Sequence, residues 1–340
     1  MKKKVFIIGS GFSSLSAACY LSKNNYDVSV YEKNKTLGGR ATQFKAKGFT
    51  FDMGPSWYWM PDVFERFFND FGKTRSDFYT IKKLDPGYRV VFNKKNQIQI
   101  GDDLDKIAFE FEKIEKGSGK KLKNFIKKAK NNYELAVTNM LYKMPGKSIL
   151  ELINIDTIFK VNLFFKNIKN DVEKTFKDDR LRSILQFPVL FLGAKPSNTP
   201  AFYNFMNYAD FGLGTWQPKN GFYDVVRAMV EIGKNNGVKF HTNCDVQKIK
   251  VVKSEIDGIV INGEYKKCDI LISGADYQHT ESLLEKKYRQ YSIKYWGNRT
   301  WSPSSLLFYI GLNTKLKNLD HHNLFFDTDF NKHADEIYTN

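Results

Sequence analysis

The 340-residue chain has few of the residues that build disulfide frameworks or metal sites. Its three cysteines, Cys19, Cys244 and Cys268, lie far apart and form no Cys-x-x-Cys pair. The five histidines show no metal-ligand spacing either. We therefore expect neither a disulfide framework nor a bound metal.

The chain also lacks a long uninterrupted apolar run. No stretch reaches the ~20 apolar residues that a membrane-spanning helix requires. The apolar residues after the N-terminal lysines imitate a signal peptide, but Gly9 and Gly11 end them short of the usual ~7–15 residues. We expect a cytoplasmic protein whose membrane contact is peripheral, on the inner face of the cell membrane.

Acidic residues are too few to balance the basic ones, and the net charge is +16. Such a charge suggests nucleic-acid binding, but the lysines are spread along the chain without a compact basic arm or a known binding motif. We therefore expect no nucleic-acid partner. The lysine-rich surface is either simply solvated or attracted to anionic lipid.

The first forty residues carry the densest pattern of the chain. Residues 4–8 predict a buried strand, apolar residues at helical spacing follow, and residues 27–31 predict a second strand. Gly9 and Gly11 lie between the first strand and the helix, and Glu32 ends the second strand. This order of strand, glycine turn, helix, strand and acid is the dinucleotide-binding fingerprint.

Each residue of the fingerprint has a predicted role. Gly9 permits a tight turn, and Gly11 lets a pyrophosphate approach the backbone where the helix begins. Glu32 can accept hydrogen bonds from ribose hydroxyls. Ser14 replaces the third glycine of the motif and is small enough for close helix–strand packing. An ordinary packing turn between strand and helix would leave Glu32 unexplained.

The sequence then departs from ordinary nicotinamide-binding domains. A glycine pair at 38–39 with Arg40 places a flexible loop and a cation near the same pyrophosphate. A short strand and a turn follow over 48–57. The run 5–57 resembles the flavin-dependent amine oxidase and carotenoid desaturase superfamily, and the sequence GPSWYWMP at 54–61 is most similar to bacterial-type phytoene desaturases.

The pattern and the resemblance together imply FAD as the cofactor. Val246 would contact the adenine end through its backbone, and residues 274–276 would line the same site at the end of an apolar strand. The implied cofactor-binding residues are Gly9, Gly11, Phe12, Ser13, Ser14, Glu32, Lys33, Gly38, Gly39, Arg40, Gly54, Pro55, Ser56, Val246, Gly274 and Asp276.

The expected fold is α/β. Residues 1–80 and 215–285 would form a discontinuous Rossmann-like FAD-binding domain. An inserted α+β domain, residues 81–214 and 286–340, would bind the substrate and face a membrane. Members of the resembled family continue beyond Asn340, so the sequence looks like the N-terminal part of a longer enzyme whose C-terminal flavin segment is absent.

The resemblance implies FAD-dependent desaturation of a phytoene-type polyene in carotenoid biosynthesis, by hydride transfer to the flavin. Quinone or oxygen would then accept the electrons. No catalytic acid or base is identified; Asp52, Asp210 and Arg89 are candidates by residue type only. The alternatives are a flavin-dependent carotenoid isomerase or amine oxidase of the same fold, and a non-catalytic basic membrane-binding protein.

Three later stretches carry structural predictions. An amphipathic helix from Leu122 to Met140 has a lysine-rich outer face, and the apolar run 149–168 fits either a buried helix or a membrane- or substrate-facing surface. Asn262 and Gly263 predict a hairpin turn. Residues 304–312 predict a strand that extends the substrate-domain sheet.

Overall fold

The computed structural model describes residues 2–143 and 161–339. The chain divides into two compact units. Unit 1 comprises Met1–Tyr58, Asp62–Ile81 and Gln217–Arg299, and unit 2 comprises Trp59–Pro61, Lys82–Trp216 and Thr300–Asn340.

The strands alternate with helices in unit 1 and are sparser in unit 2. In chain order they are β1 (Lys4–Ile8), β2 (Asp27–Tyr31), β3 (Thr42–Ala46), β4 (Phe49–Met53), β5 (Ile81–Lys83), β6 (Tyr88–Val91), β7 (Gln97–Ile100), β8 (Trp216–Pro218), β9 (Lys239–His241), β10 (Val246–Val252), β11 (Glu255–Ile261), β12 (Glu264–Lys267), β13 (Ile270–Ser273) and β14 (Asn323–Phe325).

The described helices are mostly short. They are α1 (Phe12–Lys23), α2 (Pro61–Asn69), α3 (Leu104–Ile114), α4 (Ser118–Tyr133), α5 (Leu141–Lys143), α6 (Val161–Phe165), α7 (Ile168–Thr175), α8 (Asp179–Gln186), α9 (Phe205–Asn207), α10 (Tyr223–Asn235), α11 (Tyr277–Ser282), α12 (Ile293–Gly297) and α13 (Phe330–Thr339). Two π-helical segments, Glu134–Met140 and Tyr208–Gly212, extend α4 and α9.

A four-stranded parallel sheet in the order β13-β1-β2-β9 forms the centre of unit 1. One face packs on α1, where Val5, Val28 and Ala18 are fully buried. The other face packs on the antiparallel sheet β10-β11-β12, where Phe6 meets Ile259 in one cluster. Because both faces are covered, the central strands β1 and β13 are nearly continuous apolar runs in the sequence.

The predicted hairpin between β11 and β12 is confirmed. Asn262 has φ +48° and Gly263 has φ +86°, the left-handed pair that a two-residue turn of type I′ requires. The side chain of Asn262 also accepts a hydrogen bond from the backbone N–H of Asp245 at 3.0 Å. The turn thereby ties the hairpin to the residue that precedes β10.

Unit 1 continues to Arg299, beyond the end of the FAD-binding domain that the sequence predicts at residue 285. The buried carboxylate of Glu281 accepts hydrogen bonds from the backbone N–H of Gln290 at 2.8 Å and from Nε1 of Trp296 at 2.9 Å. Residues 286–299 are therefore held in unit 1. These long-range bonds leave no periodic signal in the sequence.

Unit 2 contains the sheet β14-β6-β7, in which β6 pairs parallel with β14 and antiparallel with β7. Helices α3 and α4 bury Phe111, Leu122 and Ile126, while the opposite face of α4 carries exposed lysines such as Lys127 and Lys128. The amphipathic pattern predicted for this stretch thus matches the burial of α4.

The strand predicted over 304–312 is wrong. This stretch has no regular structure, and Leu306, Phe308 and Ile310 are 81%, 75% and 71% exposed. A strand needs a hydrogen-bonded neighbour, and in the described ranges no strand pairs with it. Most of the apolar run 149–168 lies outside the described residues.

Within residues 2–143 and 161–339, no helix is long and apolar enough to cross a bilayer.

Candidate functional site

A cleft of about 790 Å³ opens in unit 1 at the carboxyl ends of β1, β2 and β13. This is the edge at which parallel sheets bind ligands, and the volume is typical of a ligand site. Most of the predicted cofactor residues line it: Gly9, Gly11, Phe12, Glu32, Lys33, Gly38, Gly39, Arg40, Pro55, Val246, Gly274 and Asp276.

The glycine turn after β1 leaves room for a ligand. Gly9 has φ +83°, which side-chain-bearing residues rarely adopt. Gly11 has φ −66° and ψ 172°, which any residue can adopt, and a Cβ atom built on it would meet no described atom within 4 Å. Neither backbone strain nor packing inside the protein requires a glycine at position 11. The glycine instead keeps the space above its backbone open.

Helix α1 begins at this turn with favourable electrostatics for an anion. Gly11 is its N-cap and supplies no side chain to the first N–H groups, and the first turn carries no acidic residue. These N–H groups and the helix dipole together favour a phosphate or pyrophosphate. Gly39 lies against the same turn, because a Cβ built on it would come within 3.1 Å of the Cα of Gly11.

Glu32 is 3% exposed and its carboxylate is fixed on both sides. Oε2 accepts hydrogen bonds from the backbone N–H of Ser10 at 3.0 Å and from the Ser10 hydroxyl at 2.6 Å. Oε1 accepts from the backbone N–H of Asn34 at 3.0 Å and from its Nδ2 at 2.8 Å. A buried carboxylate held in this way has a set orientation at the edge of the cleft.

Four of the predicted residues do not line the cleft: Ser13, Ser14, Gly54 and Ser56. Ser14 serves packing, since a Cβ built on Gly274 would lie 1.8 Å from its hydroxyl oxygen. Gly54 has φ +98°, and a Cβ there would lie 2.4 Å from the carbonyl oxygen of Arg40. Gly54 therefore supports the Arg40 loop from outside the cleft.

Several lining residues escaped the sequence-based prediction. They are Ile8, Ser10, Tyr31, Asn34, Ala41, Cys244, Asp245 and His279. Ser10 lies between the two glycines of the turn and Asn34 follows Glu32 by two residues, so their proximity to the motif was the signal in the sequence. Cys244 and Asp245 precede β10, and only the fold brings them to the cleft.

The three polar candidates for catalysis do not line this cleft. Asp52 accepts hydrogen bonds from the backbone N–H of Phe222 at 2.6 Å and from Gln43 at 3.1 Å, which gives it a structural role in unit 1. In unit 2, Arg89 forms a 2.6 Å ion pair with Asp320.

Asp210 is fully buried in unit 2 and accepts a hydrogen bond from the Tyr88 hydroxyl at 2.7 Å. Burial raises the pKa of Asp210 to about 7, and the hydrogen bonds from Tyr88 and Thr215 oppose the rise. The carboxyl is thus part of a buried polar network, in which Thr215 also accepts a hydrogen bond from Nε1 of Trp59 at 2.8 Å.

The three cysteines are unpaired in the structure, and Cys19 and Cys268 are buried. Cys19, Cys244 and Cys268 are free thiols, and burial raises the pKa of Cys268 to about 11. In the part of the chain that the structure describes, no cluster of three or more His, Cys, Asp or Glu side chains could hold a metal ion.

The cleft has the features of a dinucleotide site: an open glycine turn, an uncapped helix N-terminus and a fixed acid. The family model described as flavin containing amine oxidoreductase matches residues 12–320. The chain belongs to this family and is an FAD-dependent oxidoreductase with an α/β fold. The predicted fold class and cofactor are thereby confirmed.

Carotenoid desaturases are among the proteins similar to this chain. The carotenoid 3,4-desaturase of Haloarcula japonica is 39% identical over 98% of this chain and 68% of its own length. The zeta-carotene-forming phytoene desaturase of Myxococcus xanthus is 28% identical over 99% of this chain and 65% of its own length. The chain is a member of the carotenoid desaturases, as the resemblance predicted, and spans about two thirds of the length of these relatives.

Solved structures share the fold at low sequence identity. An oxidoreductase from Methanosarcina mazei is 21% identical, with a TM-score of 0.56 over 83% of this chain and 61% of its own. A fatty acid isomerase from P. acnes that produces CLA is 16% identical, with a TM-score of 0.58 over 85% of this chain and 63% of its own. At these identities the likeness shows the fold alone.

Proposed function

We propose that the protein takes part in the FAD-dependent desaturation of a carotenoid precursor of the phytoene type. The observation that carries this proposal is the 39% identity to a carotenoid 3,4-desaturase over 98% of the chain. The cleft of unit 1 supports it, because its residues fit the adenosine and pyrophosphate parts of FAD.

The residues of this chain bind and orient the cofactor. The N–H groups at the start of α1 hold the pyrophosphate, the backbone of Gly11 lets it approach, and Glu32 accepts hydrogen bonds from the ribose. Bound FAD would supply the hydride acceptor for a desaturation in which one carbon beside the polyene loses a hydride and its neighbour loses a proton.

The substrate offers no charge to recognise. Binding of an uncharged polyene therefore rests on burial of apolar surface, at roughly 25 cal/mol per Å² removed from water. The printed names of the relatives include phytoene and diapophytoene desaturases, which supports a long isoprenoid hydrocarbon as the substrate class. We propose quinone or oxygen as the acceptor that reoxidises the flavin.

The test is anaerobic incubation of the FAD-loaded protein with phytoene in liposomes. We expect reduction of the flavin band together with a product that has lost a pair of hydrogens and absorbs at longer wavelength. Adding quinone or air should then restore the oxidised flavin. An isomerised product of unchanged mass would support the isomerase alternative, and flavin reduction by putrescine but not phytoene would support an amine oxidase.

We further propose peripheral association with the inner face of the cell membrane. The supporting features are the net charge of +16 and the exposed lysines on the outer face of α4. Anionic lipid attracts such residues with about 1 kcal/mol each near the surface. A membrane location also gives access to a substrate that dissolves in the bilayer.

Sedimentation with liposomes tests this association. We expect binding to anionic vesicles, weakened by salt, and reduced binding for the double variant Lys127→Gln/Lys128→Gln. The matched control Lys250→Gln/Lys253→Gln removes the same charge from exposed positions of unit 1 and should bind more strongly than the α4 variant. Equal binding of the two variants would remove α4 from the proposal.

A further inference from the structure

Ser10 lies between the two glycines of the turn and is only 1% exposed. Its backbone N–H and its hydroxyl both lie within hydrogen-bond distance of Oε2 of Glu32, at 3.0 and 2.6 Å. The backbone N–H of Gly38 donates to the same hydroxyl at 3.0 Å and to the Ser10 carbonyl at 3.1 Å. One side chain therefore contacts both the acid and the glycine loop.

The chemistry of the groups fixes the direction of these bonds. An ionised carboxylate can only accept, so the Ser10 hydroxyl donates its single proton to Glu32. Its lone pairs are then left to accept from the N–H of Gly38, which can only donate. The hydroxyl is therefore an ordered relay between two segments that are far apart in sequence.

The two linked segments serve different parts of the cofactor. Glu32 would accept hydrogen bonds from the ribose. Gly38 and Gly39 form the loop that lies against Gly11, at the turn where the pyrophosphate would bind. Neighbouring hydrogen bonds of this kind strengthen one another when buried. Losing the hydroxyl would loosen both segments at once.

We propose that Ser10 is a positioning residue that couples the ribose-binding acid to the pyrophosphate-binding glycine loop. The proposal rests on the assignment of FAD to this cleft. It acts through Glu32 and Gly38, which would contact the cofactor. A purely structural serine would affect stability but would not distinguish among parts of the ligand.

The experiment measures the affinity of the purified protein for FAD, ADP and 2′,3′-dideoxy-ADP. We expect Ser10→Ala to weaken FAD and ADP about tenfold, in line with the loss of a hydrogen bond to a charged group. The loss should be several-fold smaller for dideoxy-ADP, which has no ribose hydroxyls for Glu32. In a Glu32→Ala background, Ser10→Ala should cost much less than in the parent.

Two further variants separate positioning from folding. Ser22→Ala also removes a buried serine hydroxyl, which donates to the carbonyl of Asn236 outside the cleft. This variant should have a thermal midpoint similar to that of Ser10→Ala but an unchanged affinity for the ligands. Ser10→Cys keeps a side chain of similar shape with a much weaker donor and should weaken FAD as Ser10→Ala does.

The outcomes distinguish the proposal from its premise. A parent protein that binds none of the three ligands would overturn the cofactor assignment, and the proposal with it. A parent that binds FAD while Ser10→Ala binds it equally well would overturn the proposal alone. The same holds if Ser10→Ala weakens ADP and dideoxy-ADP by the same factor.

Discussion

A single methyl group added at Gly11 should weaken flavin binding severely and leave the fold intact. The backbone of Gly11, with φ −66° and ψ 172°, is open to any residue, and the new Cβ would meet no described atom within 4 Å. In the free protein, Gly11→Ala should be neutral or stabilising by about 0.4–1 kcal/mol, because alanine restricts the unfolded chain.

The added methyl group is unfavourable only when the cofactor binds, because it weakens the free energy of FAD binding. The methyl group would occupy the space through which the pyrophosphate approaches the N–H groups of α1. Each hydrogen bond to a charged group is worth about 1.5–3 kcal/mol, so losing two of them costs about 3–6 kcal/mol. At about 1.4 kcal/mol per tenfold, FAD affinity should fall by roughly 10²–10⁴-fold, and further for Gly11→Val.

Fluorescence titration with FAD, alongside thermal unfolding of the free protein, measures both halves of this prediction. The matched control is Gly297→Ala at the end of α12, where a Cβ likewise meets no described atom within 4 Å. It should bind FAD as the parent does. Unchanged FAD affinity in Gly11→Ala would show that the open space at this turn is not needed for the cofactor, and a large loss of its stability without ligand would show that the glycine is needed for the fold.

Two further predictions concern stability. Gly54→Ala should lower the thermal midpoint more than Gly48→Ala, because both glycines have positive φ but only Gly54 would place its Cβ 2.4 Å from a carbonyl oxygen; equal midpoints would contradict the clash. The second concerns Asp210, whose pKa is raised to about 7 from about 3.9 in the unfolded chain. The unfolded state loses this proton first, so stability should fall as pH rises from about 4 to about 7, by up to about 4 kcal/mol. Asp210→Asn should lack this part of the pH dependence in urea unfolding, and parallel curves for the two proteins would contradict the raised pKa.

The sequence predicts best where the chemistry is local. The glycine turn and Glu32 fall within one strand–helix–strand unit, so their spacing alone places them at one edge of the sheet. The hairpin at Asn262 and Gly263 is equally local, since the turn conformation is set by those two residues.

Long-range hydrogen bonds mark the limit of prediction. The bond from Ser10 to Glu32 spans 22 positions, and Tyr88 reaches Asp210 across 122. Neither of these two hydrogen bonds leaves a periodic pattern of residues in the sequence. The strand expected at 304–312 failed for a related reason, because a run of apolar and aromatic residues favours a strand but does not supply the neighbour that must pair with it.

We expect the cleft of unit 1 to bind FAD through the adenosine and pyrophosphate parts of the cofactor. The most direct measurement is an equilibrium titration of the purified protein with FAD, followed by displacement with ADP. We expect saturable binding of one FAD per chain and full release by ADP, since ADP contains the ribose and pyrophosphate that Glu32 and Gly11 would contact. Absence of saturable binding, or flavin that ADP fails to displace, would contradict this expectation.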